Sequence, residues 1–361
     1  MVERKINVLV VDDSKVARML LSRILEDDPR FQVLGEVADG QAAVDFVTER
    51  QPDVILMDVQ MPGMDGFEAT RKIMETRPVP IVICSGTVDP GELATTFRVM
   101  EAGALACVEK PVSPEHPGFA EMAAMIRQTV QLMSEVKVVR RWVAARTANQ
   151  RLAESATVAV GQGPRKIKLI GIGASTGGPP VLQTILAGLP KDFPVPILIV
   201  QHIARGFLPG LADWLDQSTA FQVHIGGQGM PALPGHVYLA PDDFHMGVGV
   251  GERIFLSKAD PENGLRPAVS FFFRSLAETF GGNALGVLLT GMGRDGAVEL
   301  KQMKDAGAVT IAQDRESSVV HGMPGEAIAQ GGATHILSAE KIASMLVTLI
   351  QRRNGHGDSH P

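Results

Sequence analysis

The first third of the chain alternates short apolar runs with helix-length amphipathic segments, and this alternation restricts the fold more than any other feature. The five apolar runs are INVLVVDD, FQVLGEVA, DVILMD, PIVICSG and ALACVEK. Each has the length of a strand buried on both faces, and consecutive parallel strands need a crossover that is usually a helix. The alternation therefore predicts a parallel α/β sheet in this part of the chain.

A second series of buried runs begins near residue 166, and it predicts a second parallel sheet. Its members are KIKLIGIGA, VPILIVQH, HVYLAP, ALGVLLTG and AVTIAQ. Helices are predicted between them, around 179–188, 207–216, 268–280 and 296–306. The length of 361 residues allows two domains. The predicted organisation is α/β, with two doubly wound parallel-sheet domains at 1–125 and 166–350, a helical extension and linker at 126–165, and a disordered tail at 351–361.

Charge is distributed unevenly between these parts. Residues 1–125 carry 12 basic and 21 acidic side chains, whereas residues 126–166 carry 8 basic and 2 acidic ones. An acidic domain does not suit nucleic acid as a partner, because binding to phosphates needs a basic face. No apolar run reaches the roughly 18 residues of a membrane span and the start has no signal-peptide layout, so we expect a cytoplasmic protein without direct membrane insertion. The basic linker has two open interpretations, a solvated spacer or an electrostatic contact with the acidic domain.

Polar side chains follow four of the five N-terminal strands. They are Asp12 and Asp13 after the first strand, Asp58 after the third, Ser85 after the fourth and Lys110 after the fifth. Because the carboxyl ends of parallel strands meet at one edge of a sheet, these groups should lie together. Clustered carboxylates suit Mg²⁺, and a lysine and a hydroxyl can hold the oxygens of a phosphoryl group. The set predicts an aspartyl-phosphate switch.

The motifs VVDDS, LMDVQMPGMDG, ICSG and VEKP resemble the signatures of response-regulator receiver domains, which have a flavodoxin-like fold. The resemblance implies Asp58 as phosphoacceptor, Ser85 as switch hydroxyl and Lys110 as phosphate partner. It also implies Mg²⁺ held by Asp12, Asp13, Asp58 and the Gln60 carbonyl. Cys107 stands where receivers often have an aromatic residue.

The stretch KLIGIGASTGGPP, residues 168–180, has two incompatible interpretations. As a glycine-rich cradle for a dinucleotide it should have a third glycine at the position of Thr176, which it lacks. As a G-x-S-x-G elbow it would expose Ser175 between a strand and a helix that Pro179 opens. The spacing favours a serine nucleophile.

A serine nucleophile needs a base and an orienting carboxylate from other strand ends. His202 ends the run VPILIVQH, and Asp295 lies in the loop of GVLLTGMGRDG. Position alone does not choose the base, because the predicted domain at 166–350 also contains five other histidines: His224, His236, His245, His321 and His335.

The stretches IGASTGGP, VQHIARGF, PGHVYLAPDDFHM, LTGMGRDGA and VVHGMPGEAI resemble the Rossmann-like catalytic domain of the chemotaxis protein-glutamate methylesterases, the CheB family. The resemblance implies a triad of Ser175, His202 and Asp295. Thr176 and the Met292 backbone would line the site, and His245 would lie nearby. It implies no cofactor for the esterase reaction. Ser270 departs from the family, which commonly has an acidic residue there.

The resemblance also implies the substrate and partners. We expect hydrolysis of glutamate γ-methyl esters on the cytoplasmic helices of chemoreceptors, deamidation of receptor glutamines, and phosphorylation by a chemotaxis histidine kinase. Two other classes are weaker alternatives. One is a receptor-binding module without turnover, and the other is a DNA-binding regulator, for which no basic recognition-helix pattern follows the receiver.

Overall fold

The computed structural model of the protein describes residues 4–86, 97–111, 113–116, 118–136, 138 and 166–354. Most of the predicted linker, residues 139–165, and the tail from residue 355 lie outside the described residues. The last helix continues through residues 351–354, which the sequence assigned to the tail.

The N-terminal sheet is fully parallel, as predicted, with strand order β2-β1-β3-β4-β5. Its strands are β1 (Ile6–Val11), β2 (Phe31–Val37), β3 (Val54–Met57), β4 (Ile81–Ser85) and β5 (Ala106–Glu109). Its helices are α1 (Lys15–Glu26), α2 (Gly40–Glu49), α3 (Gly66–Thr76) and α4 (Phe119–Ser134). Both faces of the central strands are buried, which explains why their sequences are continuously apolar.

Three of these helices begin at a residue whose side chain accepts a backbone N–H of the first turn. Ser14 caps α1, Asp39 caps α2 and Asp65 caps α3. Each cap satisfies a donor that has no partner within the helix. Polar residues at the strand-to-helix turns therefore serve two purposes here, since some cap helices and others gather at the edge of the sheet.

The second sheet has seven parallel strands in the order β14-β13-β12-β6-β7-β9-β8. The strands from β6 onward are β6 (Leu169–Ala174), β7 (Ile197–Gln201), β8 (Gln222–Ile225), β9 (His236–Leu239), β10 (His245–Gly249), β11 (Arg253–Ser257), β12 (Ala284–Leu288), β13 (Val309–Gln313) and β14 (His335–Leu337). The helices are α5 (Gly178–Ala187), α6 (Leu208–Ser218), α7 (Val269–Phe280), α8 (Ala297–Asp305), α9 (Met323–Ala329) and α10 (Ala339–Asn354). The chain order reverses at β6, which lies between β12 and β7, so a crevice is expected at the carboxyl ends of these three strands.

An antiparallel hairpin, β10–β11, is an addition that the sequence analysis did not predict. It packs on α7, where the Val248 backbone N–H donates to the Ser275 hydroxyl at 3.3 Å. Val248 and Ile254 are buried against the helix. Strand β10 reads HMGVG, and its two glycines conceal the alternation that marks a strand.

One contact between the two domains joins a helical segment at residues 97–102 to α6, and another packs Val319 and Val320 against the core of the first domain. The rings of Phe97 and Trp214 stack with centroids 5.7 Å apart. The Trp214 indole N–H donates to Glu101 Oε1 at 2.8 Å. A cavity of about 230 Å³ lies beside this contact, lined by residues that include Met100, Gly177 and Val319.

Both cysteines are free thiols. Cys84 is buried in β4, and Cys107 in β5 is only partly buried. Within the described ranges, no helix is both long and apolar enough to cross a membrane.

Candidate active site and acidic site

Three carboxylates and one lysine form a compact cluster at the carboxyl edge of the N-terminal sheet. One carboxylate oxygen from each of Asp12, Asp13 and Asp58 lies within 4.8 Å of the others. Asp12 and Asp58 are buried and Asp13 is exposed. Lys110 Nζ lies 2.8 Å from Asp12 Oδ2 and 2.7 Å from Asp58 Oδ2. The structure therefore brings together the acidic residues that the sequence placed at two strand ends.

Few hydrogen bonds support the buried carboxylate of Asp58. Its Oδ1 accepts the Val59 N–H at 2.8 Å, and its Oδ2 accepts from Lys110. Burial raises the pKa of Asp58, and the neighbouring Asp12 carboxylate adds to the rise, which Lys110 only partly offsets. Burial lowers the pKa of Lys110, but its contacts with Asp12 and Asp58 outweigh that effect and raise it. Lys110 therefore supplies one positive charge to two buried carboxylates, Asp12 and Asp58.

The remaining predicted residues of this site lie at the same edge. Ser85 is the last residue of β4, next to the strand that precedes Asp58, and its side chain is buried. Gln60 follows Asp58 in the chain at an exposed position. Gly66 must be small, since a Cβ there would lie 2.3 Å from the Asp58 carbonyl oxygen. Three clustered carboxylates are oxygen donors of the kind that Mg²⁺ prefers, so this donor set fits the ion.

The second site lies at the predicted crevice of the seven-stranded sheet. Ser175 follows β6, His202 follows β7, and Asp295 lies in the loop after β12, so three neighbouring strands deliver the three residues to one edge. His202 Nε2 lies 3.0 Å from Asp295 Oδ2. The Ser175 hydroxyl makes no hydrogen bond within the described part of the chain, which is common for catalytic contacts that tighten only with substrate bound.

The Asp295 carboxylate is held by donors on all sides. Its Oδ2 accepts the Val269 N–H at 2.6 Å, and its Oδ1 accepts the Ser270 N–H at 3.1 Å and the Asn263 side-chain amide at 3.3 Å. The two backbone donors are the first N–H groups of α7, where a negative charge is stabilised. Burial alone raises the pKa of Asp295, but His202 and these hydrogen bonds outweigh it and hold the pKa below its ordinary value.

Two backbone N–H groups near the serine have no acceptor among the described residues. Those of Thr176 and Met292 donate to no group among the residues described. Thr290 bonds twice to the turn that carries the serine. Its carbonyl accepts the Ser175 N–H at 3.0 Å, and its hydroxyl donates to the Thr176 carbonyl at 2.9 Å. This hydroxyl also accepts the Val320 N–H. Thr290 thus ties the loop after β12 to the turn that carries Ser175.

The glycines around Ser175 serve packing and turn geometry. A Cβ on Gly171 would lie 2.4 Å from Leu276, and a Cβ on Gly173 would lie 2.4 Å from Val269. Both contacts are with α7, so these glycines let the helix lie close against β6. Gly177 has φ of 77° at the start of α5, a conformation that favours glycine. The cradle interpretation is therefore replaced by close helix packing and a turn that exposes Ser175.

In the described part of the chain, His245 makes no hydrogen bond or ion pair with Ser175, His202 or Asp295. It is fully buried, its Nδ1 accepts the Ala268 N–H at 3.2 Å, and its Nε2 lies 3.1 Å from the Asp260 carbonyl. Its ring stacks on Phe271. His245 thus braces the chain just before Val269, the first donor to Asp295.

Of the other histidines in this domain, His321 lies nearest, because it forms a parallel β-bridge with Gly291 in the loop before Asp295, and the rest lie at the strands. His224 and His236 share a hydrogen bond of 2.9 Å at the β8–β9 edge, His321 lies beside Ser318, and His335 is in β14. Among the histidines in the described ranges, His202 is the one paired with Asp295.

Sequence reasoning missed several side chains that hold the site. Asn263, Thr290, Gln201 and Gln313 all bond to residues or loops of the triad region. Gln201 and Gln313 each end a buried strand, and an uncharged amide at the end of an apolar run is the one signal that could have found them.

Comparison with known proteins identifies the family of each part of the chain. A family model described as CheB methylesterase matches residues 170–346, and a model described as response regulator receiver domain matches residues 8–117. A protein-glutamate methylesterase/protein-glutamine glutaminase of Geobacter metallireducens is 52% identical over 349 residues, 96% of this chain and 100% of the relative. The chain belongs to the CheB methylesterase family.

Two further comparisons cover the whole chain and the second domain. A family member from Nitrosospira multiformis is 50% identical over 96% of this chain and 98% of its own length. The crystal structure of the Thermotoga maritima CheB methylesterase catalytic domain is 42% identical, with a TM-score of 0.50, and it covers 51% of this chain and 99% of that one. The CheB methylesterase family thus accounts for both sheets, the first as a receiver domain.

Proposed function

We propose that this chain is a phosphorylation-regulated serine esterase that hydrolyses glutamate γ-methyl esters on chemoreceptors and deamidates receptor glutamines. The observation that carries the proposal is the 3.0 Å contact between His202 and Asp295, beside Ser175 at the switch point of the sheet. The names of the relatives support the choice of substrate. A cleft of about 100 Å³ next to His202, lined by Arg205, Asp242 and Arg266 among others, offers a place for a substrate side chain.

In the proposed reaction, His202 takes the proton of Ser175 as the hydroxyl oxygen attacks the ester carbonyl carbon. The Thr176 and Met292 N–H groups stabilise the oxyanion, and such a donor is worth about 3 kcal/mol in serine hydrolases. Asp295 holds the imidazole and stabilises its charged form. As the bond to the acyl carbon breaks, His202 protonates the methoxy oxygen, so that methanol leaves, or the amide nitrogen, so that ammonia leaves. Water activated by His202 hydrolyses the acyl-enzyme and leaves a glutamate.

In the proposed division of the chain, residues 1–125 form the receiver, 126–165 the extension and linker, and 166–350 the catalytic domain. Asp58 accepts the phosphoryl group from a chemotaxis histidine kinase, with Ser85 and Lys110 holding its oxygens. Mg²⁺, held by Asp12, Asp13, Asp58 and the Gln60 carbonyl, would neutralise charge on those oxygens. Because the proposed substrates lie on the cytoplasmic helices of chemoreceptors, the enzyme acts in the cytoplasm.

The contact between the receiver and α6 supports a gating role. Helix α6 follows directly after the loop that leaves His202, so a receiver held on Trp214 restricts access to this side of the site. Phosphorylation of Asp58 changes the populations of closed and open forms if phosphate interacts differently with each.

The test of the proposed activity is methanol release from methyl-labelled receptor membranes, comparing the unmodified protein with Ser175→Ala. Release that is lost in Ser175→Ala, while receptor binding is retained, supports the esterase. Receptor binding without release by the unmodified protein would instead indicate a binding module.

A further inference from the structure

A buried glutamine lies between the nucleophile and the base. Gln201 is the last residue of β7 and directly precedes His202, and its side chain is 4% exposed. Its Nε2 donates to the Ser175 carbonyl oxygen at 2.9 Å and to the His202 carbonyl oxygen at 2.8 Å. One amide group therefore bonds to the backbone of both residues.

The Gln201 amide links the two chain segments just beyond the point where the hydrogen bonds between β6 and β7 end. Strands β6 and β7 pair up to Ala174 and Gln201, and the last ladder bond runs from the His202 N–H to the Ala174 carbonyl at 2.9 Å. Beyond that bond the two strands diverge into their loops. The planar NH₂ group of Gln201 fixes the distance between the two departing carbonyls, and thus between the two side chains.

The two carbonyl oxygens set the orientation of the Gln201 amide, and the absence of a side chain at Gly178 leaves space for it. Two carbonyl oxygens can be served only by an NH₂ group, because Oε1 in that place would face two acceptors. Oε1 itself has no hydrogen-bond partner among the described residues. A Cβ on Gly178 would lie 2.1 Å from Gln201 Oε1 and 2.9 Å from the Ala174 Cβ. The second glycine of STGG is therefore required by the glutamine side chain.

The Ser175 carbonyl accepts from Gln201 and also from the Gly178 N–H at 2.8 Å, so the elbow is anchored both to its own helix and to β7. We propose that Gln201 is a positioning residue that sets the geometry between Ser175 and His202 for acyl transfer. The inference rests on the proposed function and adds a residue to its machinery. Misplacement of reacting groups by about 1 Å costs on the order of 100-fold in rate.

The test is Gln201→Met, which has nearly the same shape but no N–H donor. Its kcat and KM for methanol release from methyl-labelled receptor membranes are compared with those of the unmodified protein. The matched control is Thr310→Val, which removes a buried hydroxyl bonded to the Gly332 carbonyl and to Thr334, away from Ser175. Thermal unfolding of all three proteins reports how much stability each loses.

We expect kcat to fall about 100-fold in Gln201→Met with KM within threefold, and both parameters to be unchanged in Thr310→Val. An unchanged kcat, a rise in KM alone, an equal loss in both variants, or an unfolded Gln201→Met protein would each overturn the positioning role. If the unmodified protein releases no methanol, the proposed function fails and this inference fails with it. An unmodified rate retained by Gln201→Met overturns only the inference.

Discussion

Asp58 and Asp295 are both buried carboxylates at the carboxyl edge of a parallel sheet, each beside a nitrogen-bearing side chain, yet their pKa values shift in opposite directions. Burial and the nearby Asp12 carboxylate raise the pKa of Asp58. Burial also acts to raise the pKa of Asp295, but His202 and the N–H groups at the start of α7 outweigh it and lower the pKa. The two carboxylates differ in the number of N–H donors around them, and Asp295 has more than Asp58.

The difference fits two kinds of chemistry. Asp295 has every side of its carboxylate occupied, so it is suited to hold an imidazole in one orientation and to remain ionised. Asp58 has few donors and a carboxylate neighbour, so it is suited to gain a cation and a phosphoryl group. One site is therefore built to stay fixed and the other to change its charge state.

The largest expected effect concerns the fixed site. His202→Gln removes the proposed base and should lower the rate of methanol release by about 10⁶-fold, as loss of the base does in serine hydrolases. Phosphorylation of Asp58 by a small phosphodonor should be unchanged, measured as incorporated phosphate. A variant that loses both activities would contradict the separation of the two sites.

A smaller loss is expected when the carboxylate of the fixed site is made neutral. Asp295→Asn should lower kcat by roughly 10⁴-fold, because the imidazole loses its orienting charge.

The same substitution should also change how stability depends on pH. Because the pKa of Asp295 in the folded protein lies below its ordinary value, its carboxylate contributes stability that is present at neutral pH and is lost as pH falls through the range in which aspartate titrates. The difference in unfolding free energy between the two proteins should therefore be larger at pH 7 than at pH 3, measured by urea denaturation. A difference that grows on acidification would show that Asp295 is not stabilised as a carboxylate.

The smallest effect concerns the contact between the two domains. Glu101→Ala removes the acceptor of the Trp214 indole N–H, whereas Glu101→Gln keeps an oxygen in that place. Because Glu101 is exposed, we expect about 1 kcal/mol from this bond. Basal methanol release should rise about fivefold in Glu101→Ala and little in Glu101→Gln. Equal rates in all three proteins would exclude a gating role for this bond.

The sequence predicted the parts of the fold that depend on local patterns. Buried strands such as β3 and β6 are continuous apolar runs, and Asp12, Asp58, Ser175 and Asp295 directly follow strands or occupy their loops. Parallel strands deliver such residues to one edge, so their grouping followed from strand order alone.

The parts that the sequence did not reveal depend on distant contacts. The bonds of Asn263 to Asp295 and of Gln201 to Ser175 join residues 32 and 26 positions apart. The Phe97–Trp214 stack joins two domains. His245 has the residue type of a catalytic base, and only its burial and its two backbone partners show that it braces α7. No local pattern encodes any of these contacts.

The central claim is that phosphorylation of Asp58 controls the rate of the reaction at Ser175, His202 and Asp295. Its most direct test is methanol release from methyl-labelled receptor membranes by the unmodified protein and by Asp58→Asn, each with and without a small phosphodonor and Mg²⁺. The account predicts equal basal rates and a rise of about tenfold or more with phosphodonor in the unmodified protein alone, within the usual range of coupling between sites. An equal rise in Asp58→Asn would contradict it.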